Sequence, residues 1–145
     1  VHGESLNQVA KQIKYTEGYK YQLSEDCLVW IDIRPERACL SNYISLATDG
    51  LLIIFRGYAW DGASGPAIDT KNFRRGSLIH DALYQLLREG FLPESAREQA
   101  DKELRKVCLE DGMSRLRAWW VYHAVRRFGS PAADPKNKRK VLTAP

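Results

Sequence analysis

Apolar residues follow two different periods in this chain. From Tyr19 to Tyr58 short alternating stretches and short apolar runs read as strands. Tyr19, Tyr21 and Leu23 alternate with polar neighbours, and Ser24-Glu25-Asp26 is turn-like. Leu28, Trp30 and Ile33 follow, up to the breaker Arg34-Pro35-Glu36. Cys39–Ala47 alternates again, with Leu40, Asn42, Ile44 and Leu46 assigned to one face. Thr48-Asp49-Gly50 signals a hairpin turn. Leu51–Phe55 is an apolar run short enough for a buried strand. The pattern predicts an antiparallel sheet of about four strands. Residues 1–17 are weakly patterned, with a short helix expected around Leu6–Ile13.

The period changes to 3.6 after Phe73. Leu78, Ile79, Ala82, Leu83, Leu86 and Leu87 form one helical stripe, and Gly90 suits its C-terminal cap. A second helix is expected near Ser95, which forms a capping box with Glu98. Its buried stripe is Ala100, Leu104, Val107 and Cys108, and Gly112 ends it. Ser114 caps a third helix that runs to about Phe128 and stops at Gly129. Its centre, Ala118–Val125, is apolar nearly all round except His123, so it is expected to be the most buried helix. Trp119 and Trp120 are adjacent and cannot both face one way. The fold class is α+β: an N-terminal antiparallel sheet, then three helices. Residues 1–130 are expected to form a single domain and 131–145 an extended basic tail.

Composition narrows the class of protein. The chain has 145 residues, 44% hydrophobic and 28% charged, as in ordinary globular proteins. No apolar run approaches the ~20 residues of a bilayer-spanning helix. The three cysteines, Cys27, Cys39 and Cys108, are widely spaced and odd in number. That favours a reduced compartment over a disulfide framework. Net charge is +4, concentrated at one end: residues 115–140 hold eight Lys/Arg against one acid, Asp134. Such an end attracts an anionic membrane surface, an acidic partner or, less readily, nucleic acid. A solvated helix face with a loose tail is the simpler account, since such charge runs are common on surfaces.

The candidate chemistry lies between Tyr58 and Asp101. Asp61-Gly62-Ala63-Ser64-Gly65-Pro66 cannot be regular structure, and such loops turn carbonyl oxygens toward a hard cation. His80 and Tyr84 share one side of the first helix, while Asp81 points farther round. Asp101 sits at the edge of the second helix's apolar stripe, where a carboxylate needs a partner. A histidine oriented by a carboxylate holds one tautomer and can take a proton from water. A cation held by Asp61 and Asp81 would polarise a carbonyl. A purely structural alternative pairs Asp101 with Arg97 and Asp81 with a basic neighbour such as Arg75. P-loop, Gly-x-Ser-x-Gly and His-Glu-x-x-His patterns are absent.

Two resemblances extend this reading. Asp61-x-Ala63-Ser64-x-Pro66, His80-Asp81-x-x-Tyr84, Arg97-x-x-x-Asp101 and Tyr122-x-x-Val125-Arg126-x-x-Gly129 together resemble the domain of unknown function 1353 family, frequent in tailed phages and prophages. His80-Asp81-x-x-Tyr84 is also similar to the active-site helix of phospholipase A2 enzymes, especially the small bacterial and fungal type. That likeness implies His80 as general base, Asp101 as its orienter and Tyr84 as support. It implies Asp81, Asp61 and carbonyls near Gly62 as calcium ligands. The disulfides that bracket the helix in those enzymes have no counterpart, since no cysteine lies near His80. The expected function is a phage-associated, calcium-dependent hydrolase of an ester, with a lipid as one candidate substrate. The alternative is a non-enzymatic virion, tail or host-interaction protein. Either fits the host cytoplasm or the virion.

Overall fold

The computed structural model describes residues 12–13, 15–16, 21–61 and 70–137. Tyr19, residues 62–69 and 138–145 lie outside the described residues, as does the expected Leu6–Ile13 helix except for Gln12 and Ile13. Among the described residues strands come first and helices second, so the α+β class holds. The strands divide into two antiparallel sheets. The larger has four: β3 (Cys27–Trp30), β4 (Cys39–Ser41), β5 (Ile44–Leu46) and β6 (Leu51–Ile54), in the order β3-β6-β5-β4. A smaller sheet joins β1 (Tyr15–Thr16), β2 (Tyr21–Leu23) and β7 (Ala59–Trp60) in the order β1-β2-β7.

The Thr48-Asp49-Gly50 hairpin forms as expected. Gly50 has φ +95°, and the Asp49 carboxylate accepts the Leu51 N–H at 3.2 Å. The Cys39–Ala47 segment does not run straight. It folds back at Asn42-Tyr43, with Tyr43 in the left-handed region at φ 65°. Cys39 then pairs with Leu46, and Ser41 with Ile44. Cys39 takes the inward face and Leu40 is 70% exposed, so Leu40 does not share the face of Ile44 and Leu46. β6 occupies the centre of its sheet, yet only Leu52 and Ile54 are fully buried. Its apolar run conceals an ordinary inward–outward alternation.

Three long helices follow: α1 (Lys71–Arg88), α2 (Ala96–Glu110) and α3 (Arg115–Phe128). The α1 stripe is buried as expected and joins the β-sheet side chains in one apolar cluster. A second cluster links Phe73 with Leu104 and Cys108 of α2 and Ala118 and Val121 of α3. Because α1 contributes to both, it is the most buried helix among the described residues, with twelve of its 18 residues inside. The expectation for α3 is overturned: only Ala118, Val121 and Tyr122 are buried, and both tryptophans are exposed. It packs through one face and leaves the opposite apolar face outward.

Gly90 and Gly112, at φ +81° and +94°, end α1 and α2. The Phe91 N–H donates to Leu86 O and the Met113 N–H to Cys108 O, both at 2.9 Å. Ser114 Oγ accepts from the Arg117 N–H at 3.2 Å and caps α3. The capping box at Ser95 does not form. Ser95 is already helical (φ −60°, ψ −19°), and its hydroxyl caps nothing. Pro93 and Glu94 carbonyls accept the Ala96 and Arg97 N–H groups instead. The segment beyond Phe128 is not extended at its start. Ser130–Ala133 form a short helix, α4, and Pro135–Asn137 a 3-10 turn. Ala133 is buried, and Arg88 Nη1 donates to Ala132 O at 2.7 Å, anchoring this turn on α1.

Gly76 sets the approach of α1 to α2. A Cβ there would lie 2.8 Å from Cys108 Sγ and 3.1 Å from Leu104 Cδ1. Gly76→Ala is expected to lower stability by about 1–3 kcal/mol through overpacking, although alanine is the better helix former. Adding Cys108→Ala should recover part of that loss, because it removes the nearest atom. Urea denaturation of the two single variants and the double variant tests this; strictly additive losses would exclude the clash.

Candidate active site

The close approach of α1 and α2 brings His80 and Tyr84 against Asp101. His80 Nε2 lies 2.7 Å from Asp101 Oδ1, and the Tyr84 hydroxyl donates to the same oxygen at 2.6 Å. Two positions one turn apart on α1 therefore converge on one carboxylate, as i,i+4 spacing allows. The His80 and Tyr84 rings also lie against each other, with centroids 4.0 Å apart. Asp101 is 0% exposed and His80 8%.

The other carboxylate oxygen faces α3. Arg126 Nη1 donates to Asp101 Oδ2 at 2.8 Å. Arg97, one turn before Asp101 on α2, stands 3.8 Å from the same oxygen. Arg97 also donates to the Tyr84 hydroxyl at 3.4 Å and to the carbonyls of Val125 and Arg126, both at 3.3 Å. Those carbonyls lie in the last turn of α3, where a cation is favoured by the helix dipole.

Burial is the largest single influence on the Asp101 carboxyl and pushes its pKa up. Hydrogen bonds from His80, Tyr84 and Arg126, with the His80 charge, together outweigh burial and hold the value below the usual carboxylate range. An ionised carboxylate only accepts hydrogen bonds, so His80 Nε2 carries the hydrogen, and the tautomer with hydrogen on Nε2 alone has its lone pair on Nδ1. Nδ1 has no hydrogen-bond partner among the described residues. Burial, followed by the bond to Asp101, raises the Tyr84 pKa, so this phenol stays a donor.

Asp61 is exposed and follows β7, Asp81 is half-buried on α1, and Gly62 lies outside the described residues. No group of three or more His, Cys, Asp or Glu is placed to hold a metal among the described residues. Calcium ligation by backbone carbonyls near Gly62 falls outside the described residues. All three cysteines are free and buried, and burial raises Cys27 to about 11 and Cys108 to about 12, and raises Cys39 as well. A groove of about 650 Å³ lined by Leu40–Tyr43, Glu89 and Phe91 shares no residue with the His80 cluster.

The chain matches the family described as protein of unknown function (DUF1353) over residues 40–125, more than half its length. It belongs to that family. The DUF1353 match runs from β4 nearly to the end of α3 and includes Asp61, His80, Asp81, Tyr84, Arg97 and Asp101. Arg126 lies just beyond it. No curated protein and no solved structure matches the chain.

Sequence reasoning placed His80, Tyr84 and Asp101 as candidates and Arg97 as the structural partner of Asp101; the structure brings all four together. It gave Arg126 no role, because Arg126 sits among surface cations. The available signal was electrostatic: a buried acid calls for a cation. Glu103 was also missed. It is 2% exposed, accepts the Asp32 N–H at 2.7 Å and lies 3.8 Å from Lys106, joining α2 to the loop after β3.

Because its folded pKa is lowered, Asp101 contributes stability above the ordinary carboxylate pKa of ~3.9. That contribution is lost as pH falls through the lowered folded-state value. Asp101→Asn should cost on the order of 1.5–3 kcal/mol near neutrality, the scale of hydrogen bonds to a charged group. The gap from wild type should narrow progressively below about pH 4. Urea midpoints measured across this range test the prediction; a gap independent of pH would mean that the ionised carboxylate is not the source.

Proposed function

We propose that this protein is a hydrolase in which His80 is the general base, acting on an ester with a lipid ester as the leading candidate. One observation carries the reading: His80 is held by the buried Asp101 carboxylate through Nε2, and Nδ1 has no partner among the described residues. Such a ring is fixed in tautomer and orientation, with a basic lone pair directed away from the carboxylate.

In the proposed reaction, Nδ1 takes a proton from water as the water oxygen bonds to the ester carbonyl carbon. The resulting imidazolium is stabilised by Asp101, itself held by Tyr84 and Arg126. Collapse of the tetrahedral intermediate breaks the bond to the leaving oxygen, which receives the proton from Nδ1. The phospholipase A2 resemblance supports these roles. Asp61, Gly62 and Asp81 are the positions that resemblance offers to calcium, and no step here is routed through a cation. The DUF1353 resemblance suggests a phage or prophage setting.

A second reading has its own support. Asp101 Oδ2 is engaged by Arg126 and approached by Arg97, so the cluster can serve as a clamp joining three helices without chemistry. A phage structural or host-interaction protein fits that reading. Phospholipid and short-chain ester assays, with calcium and with chelator, separate the two. The hydrolase reading expects His80→Ala to lower turnover by roughly 10²–10⁴-fold, the usual worth of a general base. Asp101→Asn should lower it less, because the imidazole remains. A wild-type protein inert on every ester, whose His80→Ala variant merely melts earlier, would leave only the clamp.

A further inference from the structure

Helix α3 carries an outward stripe that neither the fold nor the His80 cluster uses. Ala118, Val121 and Tyr122 face the core. On the opposite side Leu116, Trp119, Trp120, His123 and Arg127 follow i, i+3, i+4, i+7 and i+11 spacing. Leu116 is 77% exposed, Trp119 53% and Trp120 42%, and Phe128 extends the surface at 73%. Lone exposed apolar residues are common, but a contiguous stripe with two tryptophans marks an interaction surface.

The charges select the partner. Arg115 and Arg127 are exposed at the two ends of the stripe, and residues 112–133 contain no Asp or Glu. The Arg127 guanidinium lies 5.5 Å from the centroid of the Phe128 ring, so cation and apolar surface are contiguous. A second copy of the same face would bring arginine toward arginine with no acid between them. An anionic lipid surface complements both parts. Tryptophan rings favour the headgroup level, leucine and phenylalanine enter the acyl boundary, and arginine stems lie along the apolar surface with their heads at phosphate.

We infer that the outer face of α3 is an interfacial docking surface for anionic membranes, lying flat on the headgroups through Leu116, Trp119, Trp120 and Phe128 between Arg115 and Arg127. No helix among the described residues is long and apolar enough to cross a membrane, so α3 binds on the surface. This inference does not rest on the His80 chemistry, and its readout is binding rather than turnover.

The test is cosedimentation of the full chain with phosphatidylglycerol–phosphatidylcholine vesicles and with phosphatidylcholine vesicles alone. Binding is expected only to the anionic vesicles, weakening as salt shortens the Debye length. Trp119→Ser combined with Trp120→Ser should weaken it by about tenfold or more, because the apolar contact is lost. Arg115→Gln combined with Arg127→Gln should weaken it roughly thirty-fold, at about one decade or less per cation. All four positions are exposed, so the melting temperatures should stay near wild type, and His80→Ala should bind vesicles unchanged. The tryptophan pair leaves every cation beyond Phe128 in place, which separates α3 from the basic C-terminal end. Absence of binding to anionic vesicles at low salt, or binding unaffected by the tryptophan pair, would overturn the inference. So would self-association abolished by that pair, or duplex DNA binding that responds to the same variants.

Discussion

A carboxylate removed from water organises the helical half of this protein. Asp101 is fully buried, and an ionised carboxylate in that position is costly unless each oxygen is satisfied. His80 and Tyr84 of α1 engage Oδ1, and Arg126 of α3 engages Oδ2. Arg97 of α2 approaches Oδ2 and bonds the terminal carbonyls of α3. One side chain thus fixes three helices relative to one another. The competition is visible in its protonation: burial favours the neutral acid, and the donors prevail.

This arrangement couples stability to the proposed chemistry. The bonds that hold the helices together are the same bonds that orient His80. A base positioned this way requires little rearrangement when a substrate arrives, which is the advantage of a site built on rigid elements. Gly76 makes the geometry attainable, since a side chain there would meet Cys108 and Leu104 before His80 could reach Asp101. The sheets supply the platform: their inward residues and the α1 stripe form one continuous apolar cluster. In the membrane proposal, α3 has two duties on two faces, bonding Asp101 through Arg126 and docking through its tryptophans.

The departures from sequence expectation share a physical origin. Alternation from Cys39 to Ala47 suggested one face, yet a two-residue turn at Tyr43 reverses the chain, and reversal exchanges which residues point inward. Ser95 and Glu98 had the spacing of a capping box, but Pro93 and Glu94 had already begun the turn with backbone carbonyls. The apolar centre of α3 suggested deep burial. Apolar character states what a face prefers, not whether another element is present to cover it.

Local composition was enough to determine the order of elements, the α1 and α2 stripes, the glycine helix ends and the Ser114 cap. These depend on neighbours within a few residues, through backbone geometry and side-chain period. Composition also singled out His80, Tyr84 and Asp101, because an acid on an apolar stripe demands a partner and a histidine with a tyrosine one turn on can supply it. Only the tertiary structure decided that all of them meet, that Arg126 completes the set, and that α1 rather than α3 lies at the centre. Those outcomes depend on how closely Gly76 lets two helices approach and on which surfaces remain for α3 to cover. Pairings across 17 to 29 residues leave no periodic trace in the chain, since only packing brings such positions together.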